Sequence, residues 1–248
     1  MAFCQRGSPA LTFGFIFGLS SLIVAKSSQA ALINFSSWNL AGDVEITSLG
    51  QVDLSTNALQ NDDSPSPDSN FNFSNLPAID TATLESNLGL PSQSLEPDHN
   101  NFVFAFEGSG LENQYTFTEE TTLSFNWIFL TNDETRNLSG FDFDDYAFIA
   151  LNDQIQTLAS TNSSISTLIP SSTNFSRQVS GSYTQTFSPG TYSIAWGVVD
   201  VGSFDQTSAL TVNNAQLFPF NQPIPEPNSL FSLLVPLGFF AVSFLHRR

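Results

Sequence analysis

The chain has 248 residues, with six Lys and Arg against 23 Asp and Glu and a formal net charge of −17. So acidic a surface repels phosphate backbones, which excludes DNA and RNA as partners, and it favours cations or plain solubility outside the cell. Cys4 is the single cysteine, so a chain that sheds its first residues has no disulfide and no thiolate chemistry.

Arg6 precedes an apolar stretch from Leu11 to Ala25, and Ser28-Gln29-Ala30 sets small residues where signal peptidase cuts. Residues 1–30 read as a secretory signal peptide cleaved after Ala30. An uncleaved signal anchor is the alternative, because Lys26 puts a charge close to that site.

Residues 31–217 carry strand signals almost throughout. Phe102 to Phe106, Thr121 to Leu130, Tyr146 to Leu151, Tyr183 to Phe187, Thr191 to Val199 and Leu210 to Leu217 are rich in aromatic and β-branched residues. Leu123, Phe125 and Trp127 alternate with Thr122, Ser124 and Asn126, as in a half-buried antiparallel strand. Ser188-Pro189-Gly190 predicts a hairpin between the strands on either side of it. The pattern predicts one all-β domain, an antiparallel two-sheet sandwich or jelly roll. Asn57 to Leu76 reads as a long exposed loop, Thr157 to Arg177 as a Ser/Thr-rich segment pinned in part by Ile165, Leu168 and Ile169, and residues 218–224 as a linker.

Residues 225–248 hold Pro225-Glu226-Pro227, an apolar run from Leu230 to Leu245, and His246-Arg247-Arg248. An apolar helix of about 18 residues rises about 27 Å, close to the thickness of a bilayer's hydrocarbon core. The terminal Arg pair belongs on the cytoplasmic side, with the rest of the chain across the membrane. The order of these parts resembles the PEP-CTERM sorting signal of bacterial exported proteins. That resemblance implies an exosortase-type membrane protease as a partner beside signal peptidase. It also implies export to the envelope or beyond, with the C-terminal transmembrane helix as anchor before processing.

The body has its own resemblance. Trp38 to Val44, Phe106-Glu107-Gly108-Ser109, Leu123 to Glu134, Asp145 to Ile149, Gly190-Thr191-Tyr192, Gly197 to Gly202 and Ser208 to Asn214 follow one another in order. From Leu32 to Leu217 this series resembles an extracellular β-sandwich module of bacterial anchor-tailed proteins, whose activity is mostly unassigned. Where such modules often carry Asp-Asn in the last strand, this chain has Asn213-Asn214, so a metal ligand expected there loses its charge.

Asp142-Phe143-Asp144-Asp145 gathers three carboxylates at the entrance to a strand, and Asp200 and Asp205 flank a glycine-containing loop. Hard cations such as Ca²⁺ take six to eight oxygens, which makes all five candidate calcium ligands. A solvated acidic turn is the simpler account, and the glycine and distal glutamate of an EF-hand loop are missing. His99 is the one histidine of the body, without a Gly-x-Ser-x-Gly elbow beside it, and no cluster of imidazoles can be built. No catalytic residue is assigned. Trp38, Trp127 and Trp196 can serve either core or sugar stacking; the apolar neighbours of Trp127 and Trp196 favour core, and Trp38 is less constrained.

Two function classes follow. One is a noncatalytic protein of the envelope or biofilm matrix, whose adhesive or glycan-binding sandwich takes extracellular polysaccharide. The other is a secreted hydrolase acting on polysaccharide, which needs only a pair of carboxylates at the right separation. The scarcity of histidine and the absence of a nucleophile motif favour the first.

Overall fold

The computed structural model describes residues 30–59, 70–97, 104–133, 144–161, 169–171, 173–202 and 206–219. Residues 225–248, expected to be a sorting tail, and residues 1–29 of the expected signal peptide lie outside these; Ala30 is described and exposed. Among the described residues no helix is long and apolar enough to cross a membrane.

Among the described residues thirteen strands form two antiparallel sheets. They are β1 (Ala31–Leu32), β2 (Asn39–Ala41), β3 (Asp43–Ser48), β4 (Gln51–Ser55), β5 (Ile79–Asp80), β6 (Ala105–Phe117), β7 (Thr121–Thr131), β8 (Tyr146–Leu151), β9 (Gln154–Ser160), β10 (Ile169–Pro170), β11 (Arg177–Phe187), β12 (Gly190–Val201) and β13 (Ser208–Pro219). The seven-stranded sheet runs β10-β11-β7-β13-β4-β3, with β1 added to β13. The six-stranded sheet runs β2-β6-β12-β8-β9, with β5 added to β6. The expected two-sheet sandwich is present.

Alternation decides what lies between the sheets. Leu123, Phe125 and Phe129 of β7, Ile194, Trp196 and Val198 of β12, and Leu210 and Val212 of β13 fill the core. Trp196 is fully buried and Trp38 is 5 % exposed; their rings stack at 4.9 Å, with Phe35 edge-on to both. Trp38 is thus a core residue, and the 3-10 turn Phe35–Ser37, capped by Asn34, delivers it there. Trp127 is half-buried against the same core, over Gly181, where a Cβ would lie 2.4 Å from the indole.

The structure departs from the all-strand pattern of the sequence and its expected turns in four places. Ser188-Pro189 does not close a hairpin: β11 belongs to one sheet and β12 to the other, so the chain turns a corner. Phe187 and Tyr192 stay in contact across that corner, centroids 4.8 Å apart, because both pack on the core rather than across a ladder. A helix also appears, α1 (Thr81–Asn87), capped by the Asp80 carboxylate accepting from the Thr83 N–H at 3.0 Å. Its Leu84 and Leu88 bury on the outer face of the six-stranded sheet, over Gly108 and Gly110; a Cβ on Gly110 would lie 2.9 Å from Leu88. Thirdly, the loop expected to be exposed from Asn57 to Leu76 is packed at both described ends: Asn57 is fully buried, and Phe71 and Phe73 cover Leu130 and Ala209 together with Phe175. Finally, β13 continues through Phe218 and Pro219, two residues into the expected linker, because both pair with β7.

Candidate functional site

Two regions of the sandwich carry functional chemistry. The first is the end where β4, β7, β9 and β12 stop and β8, β11 and β13 start. Here the inward positions, apolar further along each strand, become Thr56, Thr131, Asp133, Asp145, Asp200 and Ser208, all buried. Asp145, 2 % exposed, accepts from the Val201 N–H at 2.9 Å and from the Ser208 hydroxyl at 2.5 Å, so it ties β8 to β12 and β13. Burial, and after it the Asp133 carboxylate, push its pKa well above the usual carboxylate value, while Ser208 and Val201 pull the other way. Asp144 accepts from the Thr161 hydroxyl at 3.1 Å. Arg177 donates to the Asp133 carbonyl, and Asn132 accepts from the N–H and hydroxyl of Ser176.

Of the five candidate calcium ligands, Asp144, Asp145 and Asp200 therefore share this end, whereas Asp142, Asp205 and also His99 lie outside the described residues. Among the described residues no group of three His, Cys, Asp or Glu is placed to hold a metal ion. Asp43, which the sequence reading passed over, is the most heavily engaged carboxylate near this end. It is fully buried and accepts from the N–H groups of Phe73 (2.9 Å) and Ser74 (2.7 Å), from the Ser74 hydroxyl (2.7 Å) and from the Ser55 hydroxyl. Its own N–H donates to Ser109 Oγ at 2.8 Å. It clamps residues 70–76 as a strap over the seven-stranded sheet.

The second region is the outer face of that sheet beyond the strap. The outward positions of β11 are Ser180, Ser182, Thr184 and Thr186, all exposed. Register continues them across β7 and β13 in rows: Ser182 beside Asn126 beside Asn213, then Thr184 beside Ser124 beside Gln216. A longer row passes from Ser180 through Ile128, Thr211 and Asp53 to Glu45. Neighbouring side chains brace one another, as Thr122 and Thr186 do at 3.0 Å and as Thr211 does by donating to Asp53. Adjacent strands are about 4.8 Å apart and successive outward residues about 6.8 Å, so the face presents hydroxyls and amides on a regularly spaced grid. Asn213, noted in the sequence for its missing charge, is one of its members. At Asn214 the strand bulges with φ of 53°, a conformation that asparagine tolerates better than most residues. The outer face of the other sheet is different, since α1 covers its β6 side.

No protein-family model matches the chain, and no curated protein matches it. Six chains of solved structures do. One is the carbohydrate-binding module TmCBM61 in complex with β-1,4-galactotriose, similar at 12% identity over 75% of this chain and 90% of that chain, with a TM-score of 0.26.

Proposed function

We propose that the protein is a noncatalytic module of the cell envelope or biofilm matrix that holds neutral polysaccharide on the outer face of its seven-stranded sheet, beyond residues 70–76. The observation that carries this is the grid of Ser, Thr, Asn and Gln side chains on β7, β11 and β13. Sugar hydroxyls both donate and accept, and a surface of hydroxyls and amides does the same, so each sugar finds partners without a buried charge. Stacking by Trp38 or Trp196 is not part of the proposal, because both rings are in the core. Phe218, half-buried at the end of the grid beyond Gln216, offers an apolar ring face instead.

Export belongs to the same proposal, supported by the signal peptide ending at Ala30 and by the tail beginning at Pro225-Glu226-Pro227. Signal peptidase and an exosortase-type protease would be its processing partners. Calcium enters as a stabilising ion for the Asp142-Phe143-Asp144-Asp145 segment, supported by the concentration of carboxylates in the sequence there.

Affinity electrophoresis through gels loaded with neutral polysaccharides tests the binding claim, with release of reducing ends followed on the same polymers. Retardation without product release supports the module. Product release would establish the hydrolase in its place, and free migration through every polymer would remove the glycan claim.

A further inference from the structure

The chain enters and leaves the sandwich side by side. Ala31 of β1 pairs with Leu217 of β13, and β13 runs on to Pro219 opposite Thr121. Thr121 in turn pairs with Phe187, so the corner at Ser188 and both exits stand at one end. The acid-lined end, where β13 begins at Ser208, is the other. Between them lie the 12 residues of β13, about 36 Å at about 3.3 Å per residue.

We propose that the sandwich stands end-on above a bilayer, with the Ser188 corner facing the lipid and the acid-lined end turned outward. This rests on the reading of residues 225–248 as a membrane helix, and three observations carry it further. From Pro219 to Leu230, where the apolar run starts, the chain advances 11 residues and reaches at most about 38 Å. Crossing the headgroup layer uses about 6 Å of that, which leaves less than the length of the domain. The tether is therefore too short for the sandwich to invert and set its acid-lined end on the surface.

Lying flat is opposed by charge. Arg177 is the one Lys or Arg among the described residues, so no described face has the basic cluster that holds a protein along anionic headgroups, and the broad outer face carries Asp53 and Glu45. Thirdly, the orientation does not depend on which terminus anchors. Were the apolar stretch from Leu11 to Ala25 retained as an anchor, it too would enter through Ala31 at the same end.

The consequence is functional. A module held this way presents its polar sheet face side-on, parallel to the membrane normal, and its acid-lined end to the medium.

The test uses the full chain with Cys4→Ala, which removes the only cysteine. A donor dye is placed on either Ser188→Cys or Leu76→Cys; Leu76 is 59% exposed on the strap beside the acid-lined end. The protein is reconstituted in vesicles of phosphatidylcholine with phosphatidylglycerol, bearing acceptor-labelled lipid in the leaflet that faces the domain. Energy transfer from position 188 should exceed that from position 76 several-fold. Equal transfer would mean a flat or freely tumbling domain, and stronger transfer from position 76 an inverted one; either overturns the proposal. Flotation of the same samples separates this from failure of the membrane-helix reading, in which the protein stays at the bottom of the gradient and both proposals fall.

Discussion

Replacing Asp43 should release the strap over the seven-stranded sheet. The carboxylate takes four hydrogen bonds, from the Phe73 N–H, the Ser74 N–H and hydroxyl, and the Ser55 hydroxyl, in a fully buried position. Bonds to a charged acceptor contribute about 1.5–3 kcal/mol each when removed singly, and groups left together without a partner do not add in full. Asp43→Ala therefore costs about 3–5 kcal/mol, because it leaves several buried donors without an acceptor. In a domain of this size about 1 kcal/mol moves Tm by about 2–4 °C, which places the loss at about 6–20 °C. Asp43→Asn should cost less. Its remaining oxygen can keep both the Phe73 and Ser74 N–H groups, now at 3.1 and 2.7 Å from Oδ1, while the Ser55 hydroxyl rotates to accept from the new amide. The assay is a thermal melt of the three proteins with limited proteolysis below the transition, cleavage within residues 57–77 being the readout for strap release. A loss under about 1 kcal/mol for Asp43→Ala, with the strap still protected, would refute the role assigned to this carboxylate.

The remaining predictions concern charge. Asp53 faces Glu45 directly across the β3–β4 ladder, and its pKa is raised by burial first and by Glu45 as well, against the Thr211 hydroxyl. A carboxyl whose folded value is raised favours the protonated form, so the stability it contributes is full below about pH 4 and is lost as pH climbs through its folded value. Asp53→Asn should accordingly gain about 0.2–1 kcal/mol over wild type at pH 7 and nothing at pH 3, and equal differences at the two pH values would contradict this. If calcium binds the acid-lined end with a dissociation constant of about 10⁻⁴ M, free ion at about 10⁻² M adds about 2.7 kcal/mol to the native state. Melts in chelator, calcium and magnesium, repeated with Asp144→Asn and Asp145→Asn together, read this directly; equal midpoints for the wild type in all three buffers would remove the ion.

What was legible in the sequence follows from the range of the interactions involved. The strands β7, β8, β12 and β13 show themselves because alternation is local: Leu123, Phe125 and Trp127 declare a face without reference to anything distant. Which strand pairs with which is not local. Ser188-Pro189-Gly190 has the composition of a hairpin turn, yet the same turn formers serve a corner between sheets, and the choice is made by Phe187 and Tyr192 packing on the core. Helix α1 spans only seven residues, two of them Thr, too short for a periodic signal; Asp80 before it and Gly89 after it, at φ of 67°, were its available marks. Asp43 could not be singled out, since its partners Ser74 and Ser109 lie 31 and 66 residues away. The burial of Trp38 likewise depends on Trp196, far along the chain. The polar grid was half visible, as Thr122, Ser124 and Asn126 alternate in the sequence, but its rows exist only once register sets Ser182 and Asn213 on either side of Asn126.

Titration of neutral oligosaccharides into the protein, followed through the side-chain amide resonances of Asn126, Asn213 and Gln216, tests the glycan-binding account most directly. The account predicts that these three amides shift together and saturate with one affinity. It also predicts that Asn126→Ala combined with Ser182→Ala abolishes the response while leaving the melting temperature within about 2 °C, as expected for surface changes within about 0.5 kcal/mol. Binding that leaves the three amides unmoved, or that survives the double substitution unchanged, would place the glycan site elsewhere and contradict the account.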